Sequence, residues 1–182
     1  MFQVSRDNPA YFITSVAHNR LPIFQKDQIK DIVASAFDEA RRSGGILVFG
    51  YVIMPDHTHL LTDSAREINE VLRFLNGISA KRVIDYLKAS GFDSSLEKLR
   101  IQERENRHKH SVYEHHSNAI RITGEDAFME KVNYIHLNPV KEKLAEHPDE
   151  YKYSSARQWH HREWDNEPLI VDRKKIKWRA AA

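Results

Sequence analysis

The stretch "GYVIMPDHTHLLTD", residues 50–63, decides how the rest of the chain reads. An apolar run, Tyr51-Val52-Ile53-Met54, halts at the turn pair Pro55-Asp56 and gives way to a segment with two histidines one residue apart. Two extended runs flanking a tight turn predict an antiparallel hairpin. Within a strand, residues i and i+2 share a face roughly 6.5 Å apart. His57 and His59 therefore look the same way, and Thr58 looks the other. One divalent cation could accept a nitrogen from each imidazole at about 2.1 Å per bond. A His-x-His pair also occurs as a structural or surface pair, so the choice depends on what else the chain sets against it.

Working outward, residues 10–18 are rich in aromatic and β-branched side chains and predict a first strand. Residues 27–43 predict a helix with Ile29, Ile32, Val33, Ala36, Phe37 and Ala40 on one stripe, stopped by Gly44-Gly45. The run 46–54 is a second strand, continuous enough in apolar character to suggest a central place in the sheet, and 57–62 is a third. Residues 68–90 predict a second helix ended by Gly91. The charge-dense segment 92–110 reads as an excursion, 111–122 as the fourth strand, and 124–137 as a further helix with Pro139 just past its end. Residues 151–159 read as irregular. Strand, helix, strand, strand, helix, strand is the order of an α+β, ferredoxin-like split βαβ fold: a four-stranded antiparallel sheet with helices on one face. The appended helix, which carries Tyr134, would cover the bare face. The division expected is one domain over residues 1–164 and a basic C-terminal tail over 165–182.

The totals narrow the function classes. A chain of 182 residues, 41% hydrophobic, suits one core, and a net charge of +2 means that any nucleic-acid surface is local. The lack of cysteine excludes disulfides, thiolate zinc sites and a cysteine nucleophile, and fits a reducing compartment. There is no apolar run of membrane-spanning length and no signal-peptide core at the N-terminus, so a soluble cytoplasmic protein without membrane contact is expected. No GxxxxGK[ST] loop is present, so no nucleotide cofactor is expected.

What could face the histidines is the block Lys131-Val-Asn-Tyr-Ile-His-Leu-Asn-Pro-Val-Lys141. Tyr134 and Asn138 are four apart and share one face of a helix. The Asn138 amide oxygen suits a cation, and Tyr134 one turn earlier would hold its hydroxyl beside it. Ile135 and Leu137 are expected on the packing side. His136 lies roughly 200° round from Tyr134 and is expected to bond the protein rather than a metal. The plainer readings are a core tyrosine for Tyr134 and a helix stop for Asn138-Pro139.

Together, "MPDHTHLL", "YIHLNPVK" about 75 residues later and "YSSA" at 153–156 resemble the single-tyrosine HUH transposases, and within them the REP-associated tyrosine transposases. The resemblance covers residues 11–159. It implies a ferredoxin-like fold and metal-dependent cleavage and joining of single-stranded DNA beside hairpins, through a 5′-phosphotyrosine intermediate. By position it implies Tyr134 as nucleophile, His57, His59 and Asn138 as metal ligands, and Mg2+ or Mn2+ as the cofactor. The chain departs from that pattern in three places. Thr58 stands where a bulky hydrophobe is usual, Lys141-Glu142-Lys143-Leu144 replaces a turn towards glycine, and "SVYEHHSNAIRI" replaces a Trp-containing strand.

The expected partner is single-stranded or hairpin DNA, bound by a monomer or homodimer. The short link Thr123-Gly124 favours a site completed within one chain. Candidate phosphate contacts are Arg104, Arg107, Lys109, Arg121, Lys131, Lys141 and Arg157, with Arg100, Arg162 and the basic tail (Arg173, Lys174, Lys175, Lys177, Arg179) behind them. Tyr151, Tyr153, Trp159 and Trp164 are candidates for base stacking or for the core. Two rival readings are a hairpin-binding protein of the same fold that does not cut, and an RNA-binding ferredoxin-like domain. The second expects aromatics where His57 and His59 stand.

Overall fold

A computed structural model describes residues 10–101, 110–115 and 117–176. The main elements are β1 (Ala10–Val16), α1 (Asp27–Gly44), β2 (Leu47–Ile53), β3 (His57–Asp63), α2 (Ile68–Ala89), α3 (Asp93–Lys98), β4 (Asn118–Ile122), α4 (Glu125–Lys141) and the short α5 (Ala156–Trp159). The four strands form one antiparallel sheet in the order β2-β3-β1-β4, the ferredoxin-like arrangement. The excursion after α2 is partly helical, as α3, and residues 102–109 lie outside the described residues. The fourth strand is shorter than expected: only 118–122 pair with β1, while Tyr113 bridges Ala17 and turns its ring towards α2.

Two helices cover one face. Of the α1 stripe, Ile29, Val33, Ala36, Phe37 and Ala40 are buried and Ile32 is partly buried at its margin, and α1 packs on α2, which buries Val71, Leu75, Ser79, Val83 and Leu87 at four-residue spacing. Gly45 caps α1 at φ 64, returning its N–H to the Arg41 carbonyl, a backbone shape that favours glycine. On the other face lies α4, in contact with β2 and β3. It buries Phe128, Val132 and Ile135, each worth about 1.5–3 kcal/mol. Leu137 is 42% exposed, contrary to expectation, because it sits two positions and so roughly 200° from Ile135.

Pro139 lies inside α4 rather than past its end. The helix closes one turn later, where Lys143 N–H bonds the Val140 carbonyl and Leu144 N–H bonds the Pro139 carbonyl. This is the double closure that normally ends on glycine. Here Lys143 takes the left-handed position at φ 57, at the point where the sequence leaves the family's turn.

The second strand is not central. β2 lies at the sheet's edge, yet nearly all of it is buried, because the C-terminal segment closes that edge. Ile53 N–H bonds the Tyr153 carbonyl, Ser155 N–H bonds the Tyr51 carbonyl, and Tyr51 N–H bonds the Ser155 hydroxyl. Further along, Asp172 N–H bonds the Val48 carbonyl, and its carboxylate accepts from Val48 N–H and from Arg41 of α1. Leu169, Val171 and Ile176 are buried with it. The segment 151–159 is therefore structured, and the chain from 165 to 176 packs onto the domain instead of leaving it as a tail. Lys177 and Arg179 lie outside the described residues. Among the described residues no helix is long and apolar enough to cross a membrane.

Candidate active site at the sheet and tyrosine helix

His57 opens β3 and His59 follows on the same face, with ring centroids 4.8 Å apart. Strand pairing sets Val16 opposite His57 and Thr14 opposite His59. Each imidazole has its Nδ1 engaged by the protein. The His57 Nδ1 lies 2.6 Å from Asp56 Oδ1; an ionised carboxylate only accepts, so this nitrogen carries the proton. The His59 Nδ1 lies 2.9 Å from Thr14 Oγ1. His59 Nε2 is buried and, among the described residues, has no hydrogen-bond partner. A buried orphan N–H is rarer than an under-used acceptor, so Nε2 is the lone-pair nitrogen and Nδ1–H donates to Thr14. Burial, reinforced by the neighbouring His57, pushes the His59 pKa down to about 3, which keeps it neutral.

Tyr134 comes over this pair from α4. Its ring centroid is 5.2 Å from that of His59 and 5.7 Å from that of Phe12, which itself stacks on His59 at 5.2 Å. The phenol is 38% exposed, and among the described residues its hydroxyl makes no hydrogen bond. One turn on, Asn138 is buried, and its side-chain amide is likewise without a hydrogen bond among the described residues. The opposite side of α4 is anchored: His136, buried and held near pKa 3 by that burial and by the neighbouring His160, meets the Ser155 hydroxyl at 3.0 Å. Ser155 is the residue that bonds Tyr51 N–H, so the "YSSA" block both closes the β2 edge and fixes the rotation of the tyrosine helix.

These residues fit a divalent cation. Both imidazoles have Nδ1 occupied by oxygen partners, the arrangement in which ligand histidines present Nε2. Among the described residues no three His, Cys, Asp or Glu side chains converge as one ligand group, and the Asn138 amide, one turn beyond Tyr134, is a donor of another kind that could join the two histidines. A cleft of about 410 Å³ opens beside His57, lined by Arg20, Pro22, Asp56, Glu142 and Leu144.

The basic residues divide sharply. Lys131 Nζ lies 5.9 Å from the Tyr134 ring centroid and Lys141 Nζ 5.2 Å, so both flank the phenol. Arg121 pairs opposite Tyr11, on the sheet face away from Phe12 and Tyr134. Arg157 is not available to a phosphate. It is 1% exposed, ion-paired to Glu167 at 2.8 Å, and donates to the carbonyls of Asp149, Tyr151 and Lys152. Arg104, Arg107 and Lys109 lie outside the described residues. Tyr151 and Tyr153 are core residues whose hydroxyls donate to the carbonyls of Ile53 and Asp27, and Trp159 donates to the Phe49 carbonyl. Sequence reasoning passed over Phe12, Thr14 and Asp56. The alternation of the first strand could have placed Thr14 beside a histidine, and Asp56 was read only as a turn residue.

A ferredoxin-like sheet with a His-x-His pair under a tyrosine on the appended helix defines the class of site. The family model described as Transposase IS200 like matches residues 5–91, which include both histidines and end before α4. A solved structure of a REP-associated tyrosine transposase bound to a REP hairpin has the same fold, with a TM-score of 0.63 at 14% identity over 100% of this chain and 96% of that one. A provisionally assigned transposase from Deinococcus radiodurans is 17% identical, with a TM-score of 0.48 over 74% of this chain and 94% of that one. No curated protein matches the sequence. The sequence similarity over residues 5–91 and the fold shared with a REP-associated tyrosine transposase both bear out the resemblance carried by the motifs.

Proposed function

We propose that the protein is a metal-dependent endonuclease and strand transferase for single-stranded DNA, acting beside DNA hairpins with Tyr134 as nucleophile. The observation that carries this reading is the meeting, within one chain, of an exposed phenol and a buried imidazole whose Nε2 has no partner among the described residues. His57, His59 and Asn138 would hold a divalent ion, Mg2+ or Mn2+. When bound, such an ion polarises the phosphodiester and offsets the charge that builds on its oxygens.

The chain's own residues do the rest. α4 holds the Tyr134 hydroxyl at the surface, rotated into place by His136 and Ser155. Lys131 and Lys141 bracket it with positive charge suited to adjacent phosphates. In the reaction the Tyr134 oxygen forms a bond to phosphorus and loses its proton to solvent. The bond from phosphorus to the 3′ oxygen breaks, and that oxygen takes up a proton. One ester replaces another, so the 5′-phosphotyrosyl bond keeps the energy needed for a 3′ hydroxyl to rejoin the strand, and no nucleotide is consumed.

The test is a denaturing gel of purified protein with hairpin oligonucleotides that carry a 5′ extension, with and without Mn2+. A metal-dependent covalent complex is expected from the wild type, and none from Tyr134→Phe, which should still bind the hairpin. Binding without any covalent product, on a panel of hairpins and unmoved by chelator, would instead identify a non-cleaving hairpin-binding protein.

A further inference from the structure

Asp56 sits in a turn whose backbone is already secured. Its carbonyl accepts from Ala17 N–H at 2.7 Å, the Pro55 carbonyl accepts from Phe24 N–H at 2.9 Å, and Met54 N–H closes the turn on the His57 carbonyl at 2.8 Å. A turn aspartate commonly spends its carboxylate on nearby backbone N–H groups. Here, among the described residues, it does not: one oxygen takes the His57 Nδ1 proton and the other lies 3.3 Å from the Arg20 guanidinium. Asp56 also does not join the two histidines as a converging ligand group, so it stands behind His57 rather than beside it. Arg20 reaches it from a turn in which both Asn19 (φ 53) and Arg20 (φ 51) are left-handed, held by hydrogen bonds from Asn19 N–H to Glu114 Oε1 at 2.6 Å and from Arg20 N–H to the Ala17 carbonyl at 2.9 Å. The Arg20–Asp56 ion pair is largely exposed on the arginine side, so it adds little to stability.

We propose that Asp56 is a positioning residue for metal capture: its carboxylate holds the Nδ1 proton of His57, leaving Nε2 as the ring's only basic nitrogen, and Arg20 steadies the carboxylate from behind. This rests on the reading of His57 as a ligand, and it adds a residue which that reading does not need. Thr14 does the same for His59 with a neutral hydroxyl, so the two imidazoles are set by partners of different charge.

The experiment compares wild type, Asp56→Asn and Asp56→Ala by calorimetric titration with Mn2+, alongside long-range proton–nitrogen spectra of the His57 ring without metal. Asparagine keeps an acceptor for Nδ1–H; alanine does not. Asp56→Ala is expected to weaken Mn2+ binding by about 10–100-fold and to turn a single Nδ1–H tautomer of His57 into a mixture. Asp56→Asn should recover most of both effects, and the melting temperature should stay unchanged in each. Wild-type Mn2+ affinity and an unmixed tautomer in Asp56→Ala would overturn the proposal alone. A wild type that takes up no Mn2+ would overturn the metal reading and this proposal with it.

Discussion

Thr14 on β1 and His59 on β3 are cross-strand neighbours, and the hydroxyl of one meets Nδ1 of the other at 2.9 Å. The pairing register, not a loop, therefore sets the orientation of the more buried imidazole. Thr14→Val keeps the shape and removes the acceptor. It is expected to weaken Mn2+ binding by about 10-fold or more and to slow covalent complex formation to match. Thr14→Ser should behave as wild type. Calorimetry and the denaturing gel check both.

Among the described residues, Lys131 and Lys141 are the two cations placed against Tyr134. If they meet phosphates on either side of the scissile bond, Lys131→Gln and Lys141→Gln should each weaken hairpin binding and each lower the slope of log affinity against log salt by about 1. Affinity measured across a salt series reads this directly. An unchanged slope would remove that lysine from the DNA path.

Arg157 makes a prediction of a different kind, because its role lies in folding. Arg157→Ala would strand the buried Glu167 carboxylate and three carbonyls, and removing one partner of such a pair costs about 3–5 kcal/mol. Urea denaturation should show that loss. Whatever fraction remains folded should bind hairpin DNA as wild type does.

Acid should loosen the fold through two histidines. Burial holds His59 and His136 near pKa 3, against an ordinary value near 6.5 in the unfolded chain. Between those values the unfolded chain binds protons that the native state refuses. Stability is therefore highest above about pH 6.5 and falls as the pH drops, by up to about 1.4 kcal/mol per pH unit for each histidine. Denaturant titrations of metal-free protein at pH 7.5, 6.0 and 5.0 should show the decline, and His136→Gln should flatten it.

Much of the site could be read from the chain because it rests on short-range geometry. The two-residue period of a strand puts His57 and His59 on one face, and the helical repeat puts Tyr134 and Asn138 on another. What could not be read was decided by contacts distant in sequence. β2 is apolar throughout, which suggested neighbours on both sides. The second neighbour is a loop a hundred residues later, paired at Ser154 and Asp172. Arg157 looks like any basic residue until Glu167 folds back over it. Thr58 gave a visible signal, a polar residue where the related family carries a bulky hydrophobe. Its hydroxyl is buried without a partner among the described residues, so the departure carries a local cost that the neighbouring ligands do not share.

The closure of β2 also bears on the order in which the protein can mature. Both histidines and the tyrosine are made before Tyr153, Ser155 and Asp172. Until those residues arrive, the outer edge of β2 offers unpaired backbone groups on an apolar strand, a template for unwanted pairing with other chains. Newly made chains, and fragments ending before residue 150, would therefore carry every reactive group and still be the forms most prone to aggregate.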